Sequence, residues 1–148
     1  LIEAIWPLVN LQARKLGVSV RTSVEPDLPP ALCDRTMVEQ VLLNLARNAM
    51  QAMDDPTITP RVLDIRVRRA ASKGHSGWLE FSVADGGSGI PEEVAKKLFT
   101  PFFTTRPEGM GLGLSMCRTV VEQHGGYFGF APNEPRGTVF TFTLPVKI

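Results

Sequence analysis

Asn133-Glu134-Pro135-Arg136-Gly137 joins two stretches that both read as strands, one near Tyr127 to Ala131 and the other Thr138-Val139-Phe140-Thr141-Phe142-Thr143-Leu144-Pro145-Val146. Five residues rich in turn formers make a hairpin connection, so these two strands are antiparallel neighbours. Phe140, Phe142 and Leu144 alternate with polar or smaller residues and face inward, and Thr138 shares their parity. Upstream, strands and helices are interleaved. A final hairpin after such a series disfavours an all-parallel, doubly wound fold. It predicts an α/β two-layer sandwich, with a mixed, largely antiparallel sheet covered on one face by helices.

Working back along the chain, Cys117, Val120, Val121 and His124 recur on one helical face, and Gly125-Gly126 ends that helix. Leu79, Phe81 and Val83 form the inward face of a strand whose parity carries Asp85 inward too. Pro91 suits the first position of a short helix, and Phe99 to Thr105 is aromatic and irregular. Leu63, Ile65 and Val67 alternate with Arg66 and Arg68, a strand with one wet face. Asp34 is the expected N-cap of the longest helix, running to about Met53 with an apolar stripe of Val38, Val41, Leu42, Leu45, Ala46, Ala49 and Met53. Gln40, Asn44, Arg47, Asn48 and Gln51 share a different face. Val18, Val20, Thr22 and Val24 alternate as a strand. Before it, Ile2, Ile5, Trp6, Val9, Ala13 and Leu16 keep helical spacing, with a start expected just before Pro7.

The 148 residues suit one domain with a real core, and 43% apolar with 21% charged residues is ordinary globular composition. A net charge of +1 makes no case for nucleic acid or an anionic membrane as partner. Cys33 and Cys117 lack metal-type spacing and read as small apolar residues in a reducing, cytoplasmic setting. No apolar run approaches the ~18 residues that span a bilayer. There is no internal repeat, linker or low-complexity tract.

Three clusters carry chemistry. Gly109-Met110-Gly111-Leu112-Gly113-Leu114-Ser115 runs into a helix, and glycines before a helix N-terminus form a ready anion site; a plain flexible loop is the alternative. Neither a Walker loop nor a dinucleotide G-x-G-x-x-G fits the spacing. Asp85 is a carboxylate on an inward face, costly unless hydrogen-bonded. It caps its own glycine turn, or accepts from a ligand donor such as the amine of adenine. Asn44 and Asn48 are amides on a central helix, either solvated surface or neutral oxygen donors of the kind Mg²⁺ takes alongside phosphate and water.

Asn44-Leu45-Ala46-Arg47-Asn48-Ala49-Met50-Gln51-Ala52 resembles the asparagine box of sensor histidine kinases. Asp85-Gly86-Gly87-Ser88-Gly89-Ile90 resembles their first glycine box, Leu98 to Thr105 their phenylalanine box, and Gly109 to Leu114 their second glycine box. The four occur in order, with a weaker likeness through His124-Gly125-Gly126 to Gly137-Thr138-Val139-Phe140, and the tight phenylalanine box resembles the oxygen- and nitrogen-responsive subgroup. The resemblance implies the ATP-binding GHKL fold shared with type II topoisomerases, MutL proteins and heat-shock chaperone ATPases. It implies that Asn48 ligates Mg²⁺, that Asn44 lies beside the phosphates and that Asp85 takes the adenine amine. Gly87, Gly89 and Ile90 would shape the base pocket, with Thr138 supporting the base. Residues 100–110 would be a mobile lid, with Phe99 among the nucleotide contacts and Gly109, Gly111, Leu112, Gly113 and Leu114 at its hinge and under the phosphates. Phe99, Phe102 and Phe103 read as a lid anchor or as plain core. Arg106 and Arg47 are candidate phosphate contacts, or solvated arginines.

The resemblance further implies phosphoryl transfer to a histidine on a separate dimerisation domain, expected upstream, and a downstream response regulator. His124 reads as a packed helix-end residue and His75 lies in a polar turn, so neither is an expected acceptor. Two other readings stand beside the kinase: an ATP hydrolase of the same fold, and a non-catalytic nucleotide-sensing module. Hydrolase relatives carry a glutamate where this chain has Asn44, which cannot act as a base.

Overall fold

The computed structural model describes residues 2–26, 28, 31, 33–54, 57–58, 60–70, 78–87, 89, 113–134 and 136–146. The terminal hairpin forms as expected: β4 (Phe128–Pro132) and β5 (Thr138–Pro145) pair antiparallel, with Phe128 opposite Phe142 and Phe130 opposite Phe140. Upstream lie α1 (Ile2–Leu16), β1 (Ser19–Val24), α2 (Arg35–Ala52), β2 (Val62–Arg69), β3 (Trp78–Ala84) and α3 (Gly113–Gln123). The sheet order is β1-β2-β3-β5-β4. Among the described strands only β1 and β2 run parallel, because α2 crosses between them; the other three pairings are antiparallel.

The three helices among the described residues share one face of the sheet. α2 lies centrally over β2 and β3, with α1 against it over β1 and α3 on its other flank over β4 and β5. Leu63, Ile65, Leu79, Phe81, Val83, Phe142 and Leu144 point into this layer and are almost fully buried. Phe81 and Phe142 face each other across β3 and β5 and stack with ring centroids 4.8 Å apart. The opposite face is wet: Arg66 pairs with Asp64 at 3.0 Å and Arg68 with Glu80 at 2.8 Å, exposed pairs worth about 0–1 kcal/mol each.

α2 begins where its cap predicts. Asp34 is extended (φ −77°, ψ 108°), and its Oδ1 accepts the Met37 N–H at 3.1 Å. The expected apolar stripe is buried, and Met50 joins it. α3 ends at Gly125, whose φ of +78° lets the Gly126 N–H reach back to the Val121 carbonyl at 3.0 Å.

α1 departs from expectation. It runs from Ile2, so Pro7 lies inside it rather than at its first turn. An interior proline costs about 3 kcal/mol, but barely one turn precedes this one, so a single backbone bond is lost. Burial of Val9 and Ala13 against α2 offsets that cost. Trp6, assigned by spacing to the inner stripe, is 37% exposed.

Candidate functional site

Asp85 leaves β3 with its inward parity intact and is only 4% exposed. Its Oδ1 accepts the Gly87 N–H at 2.8 Å, and its own N–H donates to the Thr138 carbonyl at 3.0 Å. Thr138 is 5% exposed on the same inner face. The capping role of Asp85 is therefore present. A carboxylate offers about four acceptor sites, and the Gly87 N–H takes one of them. Among the described residues no buried side-chain nitrogen or oxygen lacks a hydrogen-bond partner, so the cost of burying this carboxylate is met.

The turn after Asp85 rests on the end of α2. A Cβ on Gly87 would stand 2.6 Å from the Ala52 carbonyl oxygen, so only glycine permits the approach. Gly89, at φ +81°, sits beside the Gly137 carbonyl. Asp85, Gly87, Gly89 and Thr138 are thus gathered at one end of α2 by the β3–β5 pairing.

The polar face of α2 is sorted by its surroundings. Asn44, Asn48 and Gln51 are half-buried, whereas Gln40 and Arg47 are exposed. Asn44 stands beside Cys117 of α3, whose thiol donates to the Val41 carbonyl at 3.9 Å. Burial pushes that thiol up to about 12, with the neighbouring Asn44 side chain acting the other way. The row Asn44–Asn48–Gln51 therefore runs from the flank of α3 to the glycine turn at Ala52. From Asn44 to Ala52, eight residues at about 1.5 Å rise make this roughly 12 Å. Gly113 and the half-buried Leu114 open α3, and a helix start carries N–H groups with no partner inside the helix.

Among the described residues no group of three histidine, cysteine, aspartate or glutamate side chains could hold a metal ion. The donor type present on the α2 row is the neutral amide, as at Asn48. That donor fits Mg²⁺, a hard cation that keeps several waters and shares phosphate oxygens rather than entering a protein cage.

Ile90, Phe99, Arg106, Gly109, Gly111 and Leu112 lie outside the described residues, as do the helix expected at Pro91, the lid 100–110, Phe102, Phe103 and His75. Two contacts had no sequence signal. The Asn133 Nδ2 donates to the Asp85 carbonyl at 2.7 Å, and the Arg136 Nε donates to the Gly87 carbonyl at 3.1 Å. Asn and Arg in a hairpin read as ordinary turn residues, so nothing local marks their reach. His124 is also more than packing: its Nε2 accepts the Asp34 N–H at 2.9 Å, tying the end of α3 to the start of α2.

Residues 33–148 match the family described as histidine kinase-, DNA gyrase B-, and HSP90-like ATPases. The chain belongs to this family. Membership in an ATPase family makes a nucleotide its ligand class. The sensor protein DctS of Rhodobacter capsulatus, a C4-dicarboxylate transport sensor, is 42% identical over 134 residues, 90% of this chain but 20% of DctS. The nucleotide-free catalytic domain of the histidine kinase ThkA superposes with a TM-score of 0.82 at 33% identity, covering 98% of this chain and 90% of that one. ThkA in complex with the response regulator TrrA aligns with a TM-score of 0.78 at 31% identity, covering 99% of this chain and 39% of ThkA. The two-layer fold is thus that of the histidine kinase catalytic domains in this ATPase family. Among the described residues no helix is long and apolar enough to cross a membrane.

Proposed function

We propose that this chain is the ATP-binding catalytic domain of a sensor histidine kinase. It would transfer the γ-phosphoryl group of ATP to a histidine on a separate dimerisation domain of the same cytoplasmic or membrane-anchored protein, from which a response regulator would take it. The observation that carries the reading is Asp85: a buried carboxylate, held by Gly87, at the end of a half-buried amide row. Asp85 accepts the adenine amine, Thr138 supports the base, and Gly87, Gly89 and Ile90 shape its pocket. Asn48 would supply an oxygen to Mg²⁺, whose positive charge would offset the negative charge of the phosphates. Asn44 lies beside the phosphates, and the N–H groups at Gly113 and Leu114 face them with the positive end of the α3 dipole. Phe99, Arg106, Gly109, Gly111 and Leu112 contribute from the lid.

Phosphoryl transfer needs positioning and charge neutralisation more than covalent help from the protein. Asn44 bears on the hydrolase alternative. A side-chain amide is not basic enough to take a proton from water, so hydrolysis should be slow. The test incubates the chain with labelled ATP, Mg²⁺ and the histidine-bearing domain. Label on that histidine, lost in Asn48→Ala, supports the proposal. Nucleotide binding without transfer favours the sensing module, and equal affinity for ATP and GTP refutes the adenine role of Asp85.

A further inference from the structure

The turn that carries Asp85 contains Gly86 and Gly87, the residues least able to hold a backbone in one shape. A carboxylate meant to meet one edge of a base needs that backbone fixed before the ligand arrives. The fixing comes from the β4–β5 hairpin. The Asn133 amide bonds the Asp85 carbonyl at 2.7 Å, and the Arg136 guanidinium bonds the Gly87 carbonyl at 3.1 Å, so both ends of the turn are held. Asn133 is itself immobilised: its Oδ1 accepts the Glu134 N–H and its backbone N–H donates to the Gly137 carbonyl, each at 3.0 Å. Asn133 and Arg136 line a groove of about 480 Å³ together with Asp64, Arg66 and Ser82. Asp64, Arg66 and Ser82 belong to the sheet face away from the helices, so the clamps reach the turn from behind.

We propose that Asn133 and Arg136 are positioning residues for nucleotide recognition, holding the two carbonyls that set the aim of the Asp85 carboxylate without touching the ligand. This rests on the nucleotide reading given under Proposed function. Arg136 is exposed and Asn133 half-buried on a hairpin, so truncating either leaves the core intact.

Calorimetric titration with ATP separates the possibilities. Asn133→Ala and Arg136→Ala should each weaken ATP binding about three- to tenfold, the range expected for one hydrogen bond. Their unfolding midpoints should stay close to wild type. Arg136→Lys should recover most of the affinity, because an ammonium can donate to the same carbonyl. Unchanged affinity in both alanine variants overturns the inference, as does a loss that Arg136→Lys fails to recover. If the wild-type chain binds no ATP, the proposed function falls and this inference with it; wild-type binding with indifferent variants sinks the inference alone.

Discussion

Replacing Gly137 by alanine tests how tightly the hairpin is wedged against Asp85. Gly137 has φ +106°, outside the region where L residues sit even in left-handed turns. An added Cβ would overlap the Asp85 carbonyl oxygen and stand 2.8 Å from its carbon and 3.0 Å from Oδ1. The carbonyl atoms belong to the backbone and cannot rotate away, so β5 must separate from the end of β3, and the bond from the Asp85 N–H to the Thr138 carbonyl goes with it. Backbone strain of about 1–3 kcal/mol and a broken buried bond of about 1–3 kcal/mol combine to a loss of roughly 2–6 kcal/mol. Whole domains are stable by only about 5–15 kcal/mol. At about 2–4 °C per kcal/mol for a chain of this size, the melting midpoint should fall by roughly 4–24 °C. Gly125→Ala is the control. Its φ is also positive, at +78°, but its nearest neighbour is Trp78 Cη2 at 3.8 Å, so only the left-handed penalty of about 1–2 kcal/mol applies. Thermal and urea unfolding followed by circular dichroism measure both. If Gly137→Ala costs no more than Gly125→Ala, the close packing of hairpin on Asp85 is not a feature of the folded protein.

Asp85→Asn keeps an amide oxygen for the Gly87 N–H but turns the other acceptor into a donor. ATP affinity should drop about 10–100-fold, from losing a charged hydrogen bond of about 1.5–3 kcal/mol, while the melting midpoint moves only a few degrees; parallel losses of both would mean that Asp85 serves only as a cap. Burial holds the Cys117 thiol at about 12 against an ordinary 9.0, so it is protonated in the folded chain where the unfolded chain begins to ionise. The stabilisation is complete below pH 9 and is lost as pH rises toward 12. Urea unfolding across that window should show a shallower decline in Cys117→Ala, and an unchanged slope would contradict the burial. Asp34→Ala should cost about 1 kcal/mol in chemical denaturation through the lost bond to Met37, and Asp34→Asn a few tenths at most.

Much of the site was legible as parity. The alternation Leu79, Phe81, Val83 places Asp85 on the inner face, and Phe140, Phe142, Leu144 does the same for Thr138. The structure finds both buried and joined through backbone. Helical spacing likewise separated the apolar stripe of α2 from its amides. It could not divide that polar face, because exposure of Arg47 and half-burial of Asn44 depend on α3, which arrives some seventy residues later. Pro7 misled for a similar reason: a local penalty was read without the packing of Val9 and Ala13 that outweighs it.

What the sequence determines by itself is therefore what periodicity and turn chemistry encode: which residues face inward, where Asp34 starts a helix, and that the last two strands form a hairpin. Each is a property of a few neighbouring residues and holds wherever that segment lies. The parallel pairing of β1 with β2, the order β1-β2-β3-β5-β4 and the reach of Asn133 and Arg136 to the glycine turn belong to the tertiary structure alone. These are contacts between segments distant in the chain. They exist because helices must cover a single apolar sheet face, and no local pattern records which partner that packing selects.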